Sequence, residues 1–322
     1  MRAAVIGDYV GWMERQFVEE LRLRLPAHPQ LRLGVGDDAA VLRLSQRSDC
    51  VVTSDLLADG THFRLPSDDL RRVGRKALAV NLSDLAAMAA QPVAAIVSLL
   101  LPRNGALATA RRLYEGMLPL AEEFGVAIAG GDTNCWDGAL AISVTAIGET
   151  TPAGLLRRDG AKAGDCLLVS GALGGSRLGK HFDFTPRVRE ALRWQRDFDL
   201  HAGIDISDGL AIDLRRLCEA SNCGAEVELA NVPVSAAAER WAAMSETRLS
   251  PLEHALSDGE DFELLLAAPP AVAQVMLREQ TAADGRLTQI GHITAERGIR
   301  GRDAANNLHD LPTAGYEHGT PN

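Results

Sequence analysis

Short acidic turns bounded by glycine, serine or asparagine punctuate the apolar runs of this chain from one end to the other. Gly36-Asp37-Asp38, Ser54-Asp55, Asn81-Leu82-Ser83-Asp84, Gly130-Gly131-Asp132-Thr133, Asp205-Ile206-Ser207-Asp208-Gly209 and Asp258-Gly259-Glu260-Asp261 each adjoin such a run. Each run tucks its carboxylates against the edge of a core. Carboxylates gathered there repel one another and lose hydration, so they call for compensating cations. Oxygen donors without Cys or His partners suit Mg²⁺, Mn²⁺ or Ca²⁺ rather than zinc or copper. Several Mg²⁺ ions around one site imply polyphosphate chemistry.

The chain has 322 residues, long for one core, and two domains are expected. A net charge of −10 counts against a nucleic-acid surface. An anionic ligand can still bind where metal ions invert the local sign. The five cysteines are odd in number and form no Cys-x-x-Cys pair, which argues against a disulfide framework or zinc site and for a reducing cytoplasm. Arg2 and Asp8 interrupt the N-terminus, so no secretion signal is expected, and the longest apolar run, Val93 to Leu101, is too short to span a bilayer. A soluble protein is expected, with no nucleic-acid or membrane partner.

Asp8 to Leu25 carries Val10, Met13, Phe17, Leu21 and Leu25 at helical spacing and ends at Pro26. Ala39 to Leu44 and Cys50 to Ser54 read as strands, and Ser67 to Gln91 as a long helix capped by Ser67 or Asp69. A buried strand over Val93 to Leu101, a helix over Ala108 to Phe124, and strands over Val126 to Ala129 and Leu140 to Ile147 follow. Thr150-Thr151-Pro152-Ala153-Gly154 is the candidate linker, dividing the chain into domains 1–150 and 151–322. Beyond it, strands are expected over Cys166 to Ser170, Gly203 to Ile206 and Phe262 to Ala267, with helices over Leu210 to Ala220 and Pro269 to Glu279. The stretch from Gly298 onward is polar and poorly periodic. Strands alternate with helices in both halves, so the class is α/β or mixed α+β.

Asp84 sits in an otherwise apolar helix with Asn81 one turn earlier, and a buried carboxylate there needs a partner, either Arg75 or a metal. Asp37-Asp38 reads as an ordinary acidic turn. Ser54-Asp55 ends a strand, where side chains can project into a crevice. Gly130-Gly131 is either a plain turn or a close backbone approach to a ligand. Ser207 or Asp208 is expected to cap the helix that follows, and amides there also attract anions. Gly174-Gly175-Ser176-Arg177-Leu178-Gly179-Lys180 fits the Gly-x₄-Gly-Lys frame of a nucleotide-binding loop. His181 follows where Ser or Thr is required, so a glycine-rich turn is the favoured reading. His62 is the one histidine beside an acidic cluster, and is either structural or a donor to a phosphate.

In order along the chain, these blocks resemble the thiamine-monophosphate kinase family. The blocks are Gly36 to Ala40, Ser54 to Leu57 with His62-Phe63, Lys76 to Met88, Gly130 to Thr133, Arg158 before Gly160-Ala161-Lys162, Asp205 to Leu210, Gly259 to Leu264 and Gly315 to His318. The resemblance implies a two-domain fold shared with aminoimidazole-ribonucleotide synthetase. In that fold the N-terminal domain binds ATP and magnesium and forms a homodimer, and the C-terminal α/β domain completes the active-site cleft. It further implies Mg²⁺ ligands at Asp38, Thr53, Ser54, Asp55, Asp84, Asp132, Asp205 and Asp208, with Asp84, Asp132 and Asp208 catalytic. Tyr114, Gly131, Asp132, Arg158 and Ser207 would line the ATP site, and His62, Glu260 and Tyr316 would contact thiamine monophosphate. Asn134, Ser54, the short stretch from Lys180 to Ala202 and Gly319 depart from the family pattern.

The implied reaction is ATP-dependent phosphorylation of thiamine monophosphate to thiamine diphosphate in the cytoplasm. Its acceptor is already an oxyanion at neutral pH, which fits a chain with many acids and no conspicuous base. The rival readings are an ATP-dependent synthetase of the same fold, a metal-dependent phosphatase, and a non-catalytic divalent-metal binding protein.

Overall fold

The computed structural model describes Phe17, Glu20, Leu21 and residues 23–33, 41–42, 44, 48–244, 248–280 and 286–311. The chain divides into two compact units, Met1–Leu85 with Gln91–Thr150, and Ala86–Ala90 with Thr151–Asn322. The helix expected over Asp8 to Leu25 lies largely outside the described residues.

In the first unit, β1 (Leu31–Leu33) pairs with β2 (Val41–Leu42). Beyond these come β3 (Cys50–Ala58), α1 (Leu70–Ala87), β4 (Gln91–Pro102), α2 (Ala106–Phe124), β5 (Ala127–Trp136) and β6 (Ala141–Glu149). The four longer strands form a sheet in the order β3-β6-β4-β5, parallel only between β4 and β5. One face is apolar and buried: Val51, Leu57, Val97, Leu99, Ile142 and Val144 lie on it. The helices meet backbone to backbone. A Cβ on Gly74 would stand 2.0 Å from the Leu113 carbonyl oxygen, and one on Gly116 would stand 1.8 Å from that of Arg71. Reciprocal glycines are what permit so close a crossing.

Helix α1 starts later and ends earlier than its apolar pattern predicts. Ser67 donates to the Arg64 carbonyl, so Asp69 serves the first turn, accepting from the Arg71 amide at 3.0 Å. Ala89, at φ 50°, follows its end. Strand β5 runs through Gly130-Gly131 instead of stopping there. A register shift against β4 at Ala95/Ile96 absorbs one extra residue as a bulge, and pairing resumes beyond it.

The second unit contains β7 (Cys166–Ser170), α3 (Lys180–Asp183), α4 (Val188–Asp197), β8 (Ala202–Ile206), α5 (Leu210–Ala220) and β9 (Gly224–Glu228). They are followed by α6 (Ala236–Ala242), α7 (Pro251–Ser257), β10 (Glu263–Ala268), α8 (Pro270–Glu279), β11 (Leu287–Thr294), β12 (Gly298–Arg302) and β13 (Leu308–Asp310). Its sheet runs β13-β12-β9-β11-β7-β10-β8. Helix α5 packs on β8, β9 and β12, and α8 on β11 and β7. The polar stretch from Gly298 forms two strands, with Ile299 buried and charge pairs joining β12 to β9. Arg300 and Arg302 stand level with Glu226 and Glu228 of β9, and Arg302 bonds Glu226 at 2.7 Å.

Candidate active site

In the first unit, Thr53 and Asp55 leave β3 on the buried side of the sheet, with Val51 and Leu57. Asp84 is the half-buried exception on an otherwise buried turn of α1. The Thr53 hydroxyl donates to Asp84 Oδ2 at 2.5 Å. Burial, and then the charge of Asp84, push the Asp55 carboxyl up to about 7. Two carboxylates and a hydroxyl are thus drawn together, all oxygen donors, and the repulsion between the acids is what a hard divalent cation would relieve. The chemistry of the donor set fits magnesium. Ser54 leaves the opposite face and meets Thr145 Oγ1 at 2.9 Å, because successive side chains alternate along a strand.

The register sets Asp55, Val144, Val97 and Gly131 in one row across the sheet. Asp132 lies one step along, level with Ser98, and is exposed. His62 stands on the loop after β3. Its Nδ1 accepts from the Ala58 amide at 3.1 Å, so the neutral ring carries its proton on Nε2, a donor suited to an anion. The fully buried Lys76 donates to the His62 carbonyl at 3.1 Å. Tyr114 is 3% exposed, edge-on to Phe17 at 5.4 Å, and burial pushes its phenol up. That packing makes Tyr114 a core residue, and we assign it no nucleotide contact.

In the second unit, Asp205 is buried near the end of β8, with Ser207 and Asp208 half-buried beyond it. The cap position of α5 is Gly209, without a side-chain cap bond, so neither Ser207 nor Asp208 caps the helix as expected. Asp213, 1% exposed, reaches back to the amides of Asp208 and Gly209 at 2.9 and 3.1 Å. Burial pushes its carboxyl up to about 6. Arg216 bonds both Asp208 and, at 2.8 Å, Asp213. The sequence reading missed this pair, although an acid in the first turn with an arginine at i+3 is a visible signal. Antiparallel pairing of β8 with β10 sets Ile206 against Glu263 and Asp205 against Leu264, which brings Glu260 beside Ser207.

Arg158 is exposed on a short 3-10 turn, Arg158–Gly160, whose backbone is tied to α5 by Ser221 Oγ donating to the Arg158 carbonyl at 2.7 Å. Lys180, the lysine of the loop-like frame, spends its ammonium on Glu263 and the Ala172 carbonyl, both at 2.9 Å. The frame is a structural turn, as its sequence suggested. Asp38 and Tyr316 lie outside the described residues. Among the described residues, no group of three or more His, Cys, Asp or Glu side chains stands close enough to hold a metal unaided. A cavity of about 190 Å³ lined by Leu25, Pro26, His28, Leu118 and Gly125 lies among none of the acidic clusters.

Residues 36–150 match the family model of the AIR synthase related protein N-terminal domain, and residues 143–304 match its C-terminal counterpart. The class is therefore that of two-domain AIR synthase related proteins. The thiamine-monophosphate kinase of Rhodopirellula baltica is 43% identical over 314 residues, covering 95% of this chain and 98% of that one. A crystal structure of thiamine-monophosphate kinase from Stenotrophomonas maltophilia, 32% identical, superposes with a TM-score of 0.76 over 88% of this chain and 94% of its own. AaThiL complexed with AMPPCP and TMP, 27% identical, does so with a TM-score of 0.73 over 99% of each chain. The chain belongs to the thiamine-monophosphate kinase family, and it is a kinase.

Proposed function

We propose that this chain transfers the terminal phosphoryl group of ATP to thiamine monophosphate, giving ADP and thiamine diphosphate. The observation that carries the reading is the Thr53–Asp84 bond with Asp55 on the same face of β3, an oxygen-donor set on the framework of a family whose member AaThiL was complexed with AMPPCP and TMP. Thr53, Asp55 and Asp84, with Asp38, would hold magnesium in the first unit, and Asp205 and Asp208 in the second, whereas the register puts Asp132 on the opposite face of the sheet. Magnesium, when bound, neutralises phosphate charge and aligns donor and acceptor for in-line displacement.

The acceptor phosphate has a second pKa near about 6, so it arrives as an oxyanion and needs no general base. The chain's own task is then to bind and orient two polyanions. The exposed guanidinium of Arg158, with the Gly131 backbone and Ser207, is assigned to ATP. The Nε2 proton of His62 donates to the acceptor phosphate, while Glu260 faces the cationic body of thiamine, with Tyr316 as a further contact. Asp208 already holds Arg216, so metal and guanidinium would share one carboxylate.

Homodimer formation is proposed through the open face of the first unit's sheet. It exposes Val52 (59%), Leu56 (61%) and Ile96 (39%) together on one face. Among the described residues no helix is long and apolar enough to cross a membrane, and a cytoplasmic place is proposed. Isothermal calorimetry tests the site itself. The nucleotide should bind with magnesium and fail to bind with EDTA; equal heats in both would sink the reading.

A further inference from the structure

Residues Gly259–Phe262 follow an unusual backbone course. Gly259, Glu260 and Phe262 have φ of 70°, 54° and 50°, a region that side-chain-bearing residues rarely adopt. Such a conformation persists only where its surroundings over-determine it. Asp261, between the two strained residues, turns the other way. It is 1% exposed, whereas Glu260 is half-buried.

The glycine-rich turn after β7 grips this segment at successive points. Both carboxylate oxygens of Asp261 accept from the Gly174 amide, at 3.0 and 2.9 Å. The Gly175 amide donates to Asp258 at 2.7 Å, and Ser176 Oγ donates to the Gly259 carbonyl at 2.6 Å. Gly174 is at φ 85°, and a Cβ there would stand 2.6 Å from the Ala255 nitrogen, so the grip depends on glycine. On the far side, the Glu260 and Phe262 amides donate to the Ser207 and Ile206 carbonyls at 2.7 and 2.8 Å.

Behind the turn lies a buried ionic array. Lys180 stands 2.9 Å from Glu263 and 3.9 Å from Asp261. Arg187 forks onto Glu263 at 2.7 and 3.0 Å, and Ser170 adds a bond at 2.7 Å. Burial alone would raise the Glu263 carboxyl, yet Lys180 and Arg187 hold it below the usual range. Buried ion pairs are seldom better for stability than apolar side chains of the same volume. Their presence beside a strained segment fits a requirement for orientation.

We propose that Asp261 is a positioning residue: clamped by the Gly174 amide, it fixes Glu260 in the left-handed conformation that turns the Glu260 carboxylate outward to the cationic acceptor. The role rests on the reading of Glu260 as an acceptor contact. Asp261 itself touches no substrate. Ser176 acts with it through the Gly259 carbonyl.

The test uses the full-length enzyme carrying Asp261→Asn or Ser176→Ala, each alone and combined with Glu260→Gln. Steady-state rates are measured with thiamine monophosphate and ATP varied in turn, and folding is followed by Tm. Each positioning variant should raise the KM for thiamine monophosphate about tenfold, the scale of one hydrogen bond to a charged group, with the KM for ATP unchanged. In the Glu260→Gln background the same changes should add nothing further. Equal rises in both KM values, or full additivity with Glu260→Gln, would overturn the proposal. Should Asp261→Asn fail to fold, Ser176→Ala carries the same comparison. A Glu260→Gln variant with an unaltered acceptor KM overturns the contact and the positioning role together. Absence of thiamine diphosphate from the wild-type enzyme overturns the proposed function instead.

Discussion

The Glu260 amide donates to the Ser207 carbonyl at 2.7 Å, tying two acidic turns that are far apart in the chain into one edge of the second unit. The β8–β10 register produces this, because Ile206 opposite Glu263 leaves the residues just outside each strand side by side. One turn carries the proposed metal ligands Asp205 and Asp208, and the other the proposed acceptor contact. Their spacing is set by backbone pairing rather than by flexible side chains.

Asp84→Asn should lower kcat by at least about a hundredfold at saturating magnesium and substrates, because the neutral amide cannot offset the phosphate-bound cation. Thr53→Val, which removes only the hydroxyl bonded to Asp84, should cost less, about tenfold. Steady-state kinetics decide it, and a wild-type rate in Asp84→Asn would remove this residue from the site.

Arg216→Met should destabilise the second unit by about 2 kcal/mol, since Asp213 keeps the Asp208 and Gly209 amides but loses its cation. Urea denaturation measures this. The double variant with Asp213→Asn should recover much of the loss, and a double variant as unstable as Arg216→Met would show that the pair is not the source.

Asp261 gives the stability a definite slope with pH. Burial pushes its carboxyl up to about 7, with Glu263 and Asp258 adding to the rise and Lys180 and the Gly174 amide opposing it. The folded state therefore binds this proton more tightly than the unfolded chain, where an aspartate titrates near about 4. Its contribution is fully present below about pH 4 and is lost as the pH rises through 7. Asp261→Asn has no such proton to lose. Urea denaturation between about pH 5 and 8 should show the wild type losing stability relative to the variant, whereas parallel profiles would contradict the assignment.

Leu56→Asp places a charge on the open sheet face of the first unit without entering its core. Light scattering should find the wild type as a dimer and the variant as a folded monomer whose Tm no longer depends on concentration. A monomeric wild type would dismiss this face as the pairing surface.

Much of this was legible in the sequence, for identifiable reasons. Apolar periodicity marked α1, β4 and β7, whose burial is nearly continuous, and α2, which buries one face. It missed β12, which arginine–glutamate pairs join to β9, and β13, whose three residues are all exposed. It also stopped β5 at Gly130-Gly131, because a bulge and a turn look alike until a partner strand supplies the register. Composition and order drew attention to Asp55, Asp84 and the Asp205–Asp208 block. They could not show that Lys180 answers Glu263 instead of a phosphate, or that Arg216 sits on Asp208, because both depend on contacts made only after folding.

The most direct test is product analysis of the purified enzyme with MgATP and thiamine monophosphate. ADP and thiamine diphosphate should form in equal amounts, with no reaction in EDTA. ADP accompanied by inorganic phosphate with thiamine monophosphate unchanged, or no ADP at all, would contradict it.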